Sequence, residues 1–272
     1  MKLDLHIHTS ASDGAWSPAQ VVLGAVAGGL DVIAITDHDT VAGVGPAREA
    51  AQGRRIHVVP GIEVSSTSNG ADVHVLGYFV DPDADALVKH GVAAAARRAD
   101  RMREMIERLA EDGMEISYES VVEAAGPDGV VIGRPHLARV LVERGYATSV
   151  WDAFDRLIGD DSDAFVPTHL LEPAAAVELI REAGGVPVWA HPPADLLEAL
   201  LPVMMEAGLQ GLEVYRPRPR RAQVLRLESI CKTTGLFTSG GSDWHNPDRG
   251  GALGDFFVSA DEVEGLLHAG GL

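Results

Sequence analysis

Nine side chains in this sequence have the types and spacing to hold metal ions. His6, His8 and Asp13 occur in HIHTSASD, His38 in TDHDT, Glu63 in GIEVSS and His74 in DVHVLG. His191 follows in WAHPP, and Asp243 and His245 complete the set in GGSDWH. In His6-x-His8 both imidazoles fall on one side of an extended chain, because side chains alternate with a period of two. Imidazole and carboxylate donors without thiolate suit zinc, manganese or iron. Nine donors exceed what one ion takes, so two or three divalent cations are expected. A buried cluster of this kind is costly without them. Hydrolysis is the natural chemistry, since cations lower the pKa of bound water and neutralise charge that builds on an ester under attack.

The clustering carries this expectation, not any single histidine. Of 11 histidines, those six fall within or just after β-branched runs. His57, His90, His169 and His268 read as structural or exposed. Asp37 and Asp39 flank His38 and are expected to orient it. Trp244 reads as packing between two ligands, and Cys231 as a buried small hydrophobe.

The elements that must bring these residues together alternate strand and helix, the pattern of βαβ units. Strands are predicted at Lys2 to His6, Asp31 to Ile35, His57 to Ile62, Asp72 to Phe79, Val186 to Ala190, Gly211 to Val214 and Leu236 to Ser239. Seven parallel strands imply an α/β fold, a barrel related to the eight-stranded (β/α) type. Its C-terminal strand ends would gather residues scattered along the chain. Ser17 with Pro18 heads one helix, and Glu172 with Pro173 opens another ending at Gly184 and Gly185. Between Asp81 and Thr168 the strand rhythm stops. A long helix is predicted from Asp83 to Glu111, with a stripe of Val88, Val92, Ala95, Ala99, Met102, Ile106 and Leu109. Shorter helices follow at Glu119 to Ala125, Pro135 to Arg144 and Ser149 to Leu157. Residues 1–80 and 170–272 thus form the barrel, and 81–169 a helical insertion covering the active-site face.

The bulk properties restrict partners. With 272 residues and 46% hydrophobic content the chain builds a full core. One cysteine allows no internal disulfide, and no apolar run reaches membrane or signal-peptide length, so a cytoplasmic protein is expected. A net charge of −18 argues against a general nucleic-acid binder, and an anionic substrate must be attracted locally. The basic run RPRPRR, from Arg216 to Arg221, is one such local feature.

The motifs DLHIHTSASDG, AITDHDT, GIEVSS, VHVLGY, WAHP and GSDWH resemble the PHP (polymerase and histidinol phosphatase) phosphoesterase family over nearly the whole chain. IGRPHLAR is similar to the G-R-T-H-F-A-R segment of the bacterial branch that includes 3′,5′-nucleoside bisphosphate phosphatases and 5′-to-3′ exoribonucleases. Pro135 and Leu137 depart from that segment's Thr and Phe. The resemblance implies a distorted (β/α)7 barrel with a trinuclear centre. His6, His8, Glu63 and Asp243 would hold the first metal. Glu63 would bridge to a second completed by His74 and His191, and Asp13, His38 and His245 would hold a third. A metal-bridging hydroxide held by Glu63 would be the nucleophile, with the protein general acid unassigned. Arg134 and His136 would reach the substrate phosphate, and Arg98 and Arg101 on the long helix would assist. The implied activity is hydrolysis of small phosphorylated nucleotides or short RNA 5′ ends, not long duplex. The alternatives are a phosphomonoesterase for a metabolite such as histidinol phosphate, or a non-catalytic metal-binding module.

Overall fold

A computed structural model describes residues 1–126, 131–167 and 170–272. Eight strands are present: β1 (Lys2–Ile7), β2 (Val32–Ile35), β3 (His57–Ser68), β4 (Ala71–Tyr78), β5 (Val186–Trp189), β6 (Gly211–Tyr215), β7 (Phe237–Gly240) and β8 (Val258–Ser259). They pair in the order β7-β6-β5-β4-β3-β2-β1-β8. The open side between β7 and β1 is bridged just past the end of β7. Trp244 N–H donates to His6 O at 3.2 Å, and His8 N–H to Trp244 O at 2.9 Å. The sheet thereby closes into a distorted barrel.

The expected seven parallel strands need correction, because β4 runs antiparallel to both β3 and β5. Only Asn69 and Gly70 separate β3 from β4, both with positive φ (50° and 83°), the geometry of a tight hairpin turn. Two residues cannot form the crossover a parallel pair requires. The reversal places the beginning of β4 at the rim where the other strands end. His74, opposite Ser65, therefore still reaches the common face.

The helices described are α1 (Pro18–Ala27), α2 (Val44–Ala51), α3 (Asp85–Glu111), α4 (Tyr118–Ala125), α5 (Arg134–Glu143), α6 (Val150–Ala153), α7 (Pro173–Glu182), α8 (Leu197–Ala207), α9 (Arg221–Thr234), α10 (Pro247–Gly250) and α11 (Glu264–Ala269). A single π turn, Phe154–Ile158, extends α6. Ser17 caps α1 in a reciprocal arrangement with Gln20, as the Ser-Pro start predicts. Among the described residues no helix is long and apolar enough to cross a membrane.

The stripe expected along α3 holds only in its second half. Met102, Ile106 and Leu109 are buried with α4 and α5 in a cluster running from Met102 to Val166. Val88 and Val92 are 52% and 70% exposed. The first half of α3 instead packs Leu87, His90 and Ala94 inward, because the barrel rim beneath it presents the carboxylate of Asp39. His169, read above as structural or exposed, lies outside the described residues.

Candidate metal centre

The nine donors come together at the C-terminal rim, around one carboxylate. Glu63 is 1% exposed. Its Oε2 lies 3.2 Å from His6 Nε2, 3.1 Å from His8 Nε2 and 3.3 Å from His38 Nδ1. Its Oε1 lies 3.1 Å from His74 Nδ1 and 3.2 Å from His191 Nε2. Asp243 Oδ1 closes on His6 Nε2 at 3.4 Å and on His8 Nε2 at 3.3 Å. Asp13 Oδ1 stands 3.4 Å from His245 Nε2 and 3.6 Å from His8 Nδ1.

Local backbone explains how each side chain is delivered. β1 ends at Ile7, and His6 on it and His8 just past it are both fully buried, two residues apart along an extended chain. The turns after three strands adopt left-handed backbone at Asp39, His191 and Asp243, with φ of 55°, 31° and 55°. Such a conformation costs of order 1–3 kcal/mol per residue and persists only where the surroundings fix it. Those surroundings are visible. Asp39 accepts hydrogen bonds from Ser65 N–H, His90 Nε2 and Arg98, the last at 2.6 Å. Glu213 on β6 accepts from His6 Nδ1 at 2.8 Å and from His191 N–H at 2.7 Å. Because a carboxylate only accepts, His6 Nδ1 must carry a proton, so Nε2 is the ring atom available to a cation beside Glu63.

Asp37 and Asp39 differ from expectation. Asp37 fixes the loop holding Asp13, accepting from Thr9 N–H, Thr9 Oγ1 and Ser12 Oγ at 2.6–2.7 Å. Asp39 ties α3 to the barrel. Glu213 was not singled out from sequence. The available signal was an acid inside the apolar strand GLEVY, a position that is costly unless the charge is partnered.

Whether cations fit can be judged from atoms left without partners. His6 Nε2, both ring nitrogens of His8, and His38 Nδ1 are buried and make no hydrogen bond. Nitrogens that close to carboxylate oxygens yet off the line of a hydrogen bond are what a metal-ligand set looks like. Three groups have donor atoms mutually within 4.8 Å: His6, His8, Glu63 and Asp243; His8, Asp13, His38 and His245; and His38, Glu63 and His74. His191 Nε2 adjoins the last group, 3.3 Å from His74 Nδ1. Divalent metal ions fit this site.

Charge follows the same geometry. Burial would raise Glu63, but His6, His38 and His74 hold it well below the usual carboxylate range. Asp13 and Asp243 are likewise held down against burial by neighbouring histidines. Burial would lower His8, but the carboxylates of Asp243 and Glu63 beside it push it up to about 10, and Glu63, Glu213 and Asp243 hold His6 well above the ordinary imidazole range. Without cations, His6 and His8 therefore hold protons at neutral pH, and a bound metal must displace them. Metal uptake should release protons, and affinity should rise with pH. Calorimetric titration of chelator-treated protein in buffers of different ionisation enthalpy checks this. A heat independent of the buffer would contradict it.

Helices α3 and α5 face the cluster across a cavity of about 190 Å3, with Asp13, His38 and His74 on one side and Arg98, Arg101 and Arg134 on the other. His136 is placed differently from Arg134. It is 1% exposed, its Nδ1 accepts from Gly133 N–H at 3.0 Å, and burial lowers its pKa to about 4. Neutral His136 thus fixes the turn that presents Arg134. Arg139, from the same segment, donates to Asp13 O at 3.3 Å and links the insertion to the ligand loop.

A family model described as the PHP domain matches residues 4–89. A 3′,5′-nucleoside bisphosphate phosphatase of Chromobacterium violaceum is 31% identical over 255 residues, covering 92% of this chain and 89% of that protein. The chain belongs to the PHP family. It is a metal-dependent phosphoester hydrolase. A 5′-3′ exoribonuclease of Haemophilus influenzae is 34% identical, covering 90% of each chain. A phosphoribosyl 1,2-cyclic phosphate 1,2-diphosphodiesterase of Eggerthella lenta is 32% identical, covering 89% of this chain and 93% of that one. The crystal structure of a predicted metal-dependent phosphoesterase from Bifidobacterium adolescentis superposes with a TM-score of 0.88 at 32% identity, covering 98% of this chain and 96% of that one. PHP members of near-equal identity thus act on different phosphoesters, and the choice among them rests on the site.

Proposed function

We propose that this PHP enzyme hydrolyses small phosphorylated nucleotides. Its substrates would be 3′,5′-nucleoside bisphosphates, yielding the 5′-monophosphate and phosphate, or short RNA with a 5′ phosphate. The observation that carries this reading is the trio of arginines across the cavity from the ligand cluster. Arg101 donates through Nε to Val166 O at 2.6 Å, and among the described residues no carboxylate pairs with it. Burial, with Arg134 and Arg98 nearby, lowers its pKa to about 10. Arg98 and Arg134 have carboxylate partners, so Arg101 is the cation there that a terminal phosphate would complement. Arg134 is the second half of the grip, set over the rings of Phe154 and Phe165 and paired with Asp160. Bisphosphates and 5′-phosphorylated RNA both carry one phosphate for the arginines and a second for the metal centre.

The nine donors named above would hold two or three ions of manganese, zinc or iron. When bound, these ions supply a nucleophile at neutral pH and neutralise charge on the phosphoryl oxygens. The protein's part is to orient the donors through Glu213, to hold the terminal phosphate with Arg101 and Arg134, and to fix Arg134 through His136. The substrate is small, since the net charge is −18 and cationic side chains cluster only locally. On the same ground long duplex would be a poor substrate.

Purified protein tested on nucleoside 3′,5′-bisphosphate, 5′-phosphorylated short RNA, histidinol phosphate and a ribose 1,2-cyclic phosphate decides the reading. Turnover confined to the last two would replace it. Arg134→Lys keeps the charge but loses the planar fork, and should cost about 2 kcal/mol of transition-state stabilisation, roughly thirtyfold in kcat/KM. An unchanged kcat/KM would put the terminal phosphate elsewhere.

A further inference from the structure

The ligand cluster has a second cationic cavity on its other side. It holds about 250 Å3, and Arg216, Arg218, Arg220, Gln223, Glu213 and His191 are among the residues facing it. All three arginines stand in the loop between β6 and α9, at the rim where the active-site residues gather. The cavity is contiguous with the metal centre. His191, 3.2 Å from Glu63, faces both, and Arg216 Nη2 lies 3.9 Å from Asp243 Oδ2.

The charges there are poorly matched within the protein. Arg216 Nε is buried with no hydrogen-bond partner, and its nearest carboxylate, Glu213, lies 3.7 Å away and already serves His6 and the His191 amide. Arg218 and Arg220 form no ion pair among the described residues, although acids outnumber basic residues 40 to 22 in the chain. Pro217 and Pro219 restrict the backbone between the arginines. Arg218 nevertheless takes a left-handed conformation, φ 55°. A stiff loop that holds unpaired guanidinium groups beside the reacting centre is suited to an oxyanion.

We propose that this second cavity binds the phosphodiester next beyond the scissile phosphate of a short RNA strand. This rests on the nucleotide reading above. The site would then hold three successive phosphates: the 5′ terminus at Arg101 and Arg134, the scissile group at the metal centre, and the next at Arg218 and Arg220. A nucleoside bisphosphate fills only the first two. The third position selects for the oligonucleotide, and Gln223 is placed to meet its base or sugar.

The test compares two ligands on wild type and an Arg218→Ala/Arg220→Ala variant. One is a 5′-phosphorylated tetraribonucleotide with a non-hydrolysable phosphonate at its first internucleotide link and a 3′ fluorophore, read by anisotropy. The other is a nucleoside 3′,5′-bisphosphate, read by competition. Wild type should favour the tetranucleotide, and the double substitution should shrink that preference about tenfold. A preference unchanged by the substitution, or absent from wild type, overturns the proposal. Hydrolysis of the bisphosphate by wild type is scored separately, so failure of the nucleotide reading is not mistaken for failure of the second cavity.

Discussion

Replacing Glu63 by Gln is expected to abolish turnover while the barrel stays folded. One oxygen of Glu63 faces three histidines and the other faces two, all within 3.3 Å. The amide keeps the volume but removes the charge shared by two of the three donor groups. Glu63 would be shared by two ions, and loss of such an anion is worth several kcal/mol, so kcat/KM should fall by about a thousandfold or more. Circular dichroism and the unfolding midpoint separate this from misfolding. A folded Glu63→Gln enzyme with activity within tenfold of wild type would remove Glu63 from the centre of the site.

A large effect on stability is expected from Arg98→Met. Asp39 is fully buried, and its carboxylate is met by the Arg98 guanidinium at 2.6 Å and by His90 at 3.0 Å. Burial would raise Asp39, yet Arg98 and His90 hold it well below the usual carboxylate range. Removing one partner of a buried pair leaves an uncompensated charge, and about 3 kcal/mol of stability should be lost. Urea unfolding measures it. Adding Asp39→Asn to Arg98→Met should recover part of the loss, because the stranded charge is then gone. A loss below about 0.5 kcal/mol, the size of a neutral surface change, would show that the pair does not fasten α3 to the barrel.

The gathering of these nine residues was legible in the sequence because each motif lies in or just after a strand, although Glu63 and His74 stand mid-strand in β3 and β4. His6-x-His8 needs only the period of an extended chain to be placed on one face. The direction of β4 was missed, although Asn69-Gly70 between two alternating runs is a strong hairpin signal. The error did not displace His74, since reversing the strand brought its other end to the same rim. The first half of α3 was misread because its inward face carries His90 and Arg98. A pattern built on apolar residues then selected Val88 and Val92, one position out of phase. Glu213 and the partners of Asp39 were invisible for a related reason. Which buried acid meets which distant base is fixed by tertiary contacts that no local spacing records.

The nine donors are expected to hold metal ions that hydrolysis needs. Elemental analysis of protein purified without chelator, with activity followed through metal removal and return, measures both. Two or three transition-metal ions per chain are expected, as the donor groups allow. Phosphoesterase activity should be lost on prolonged chelation and restored by manganese, zinc or iron. Metal well below one ion per chain, with hydrolysis indifferent to chelation, would contradict that expectation.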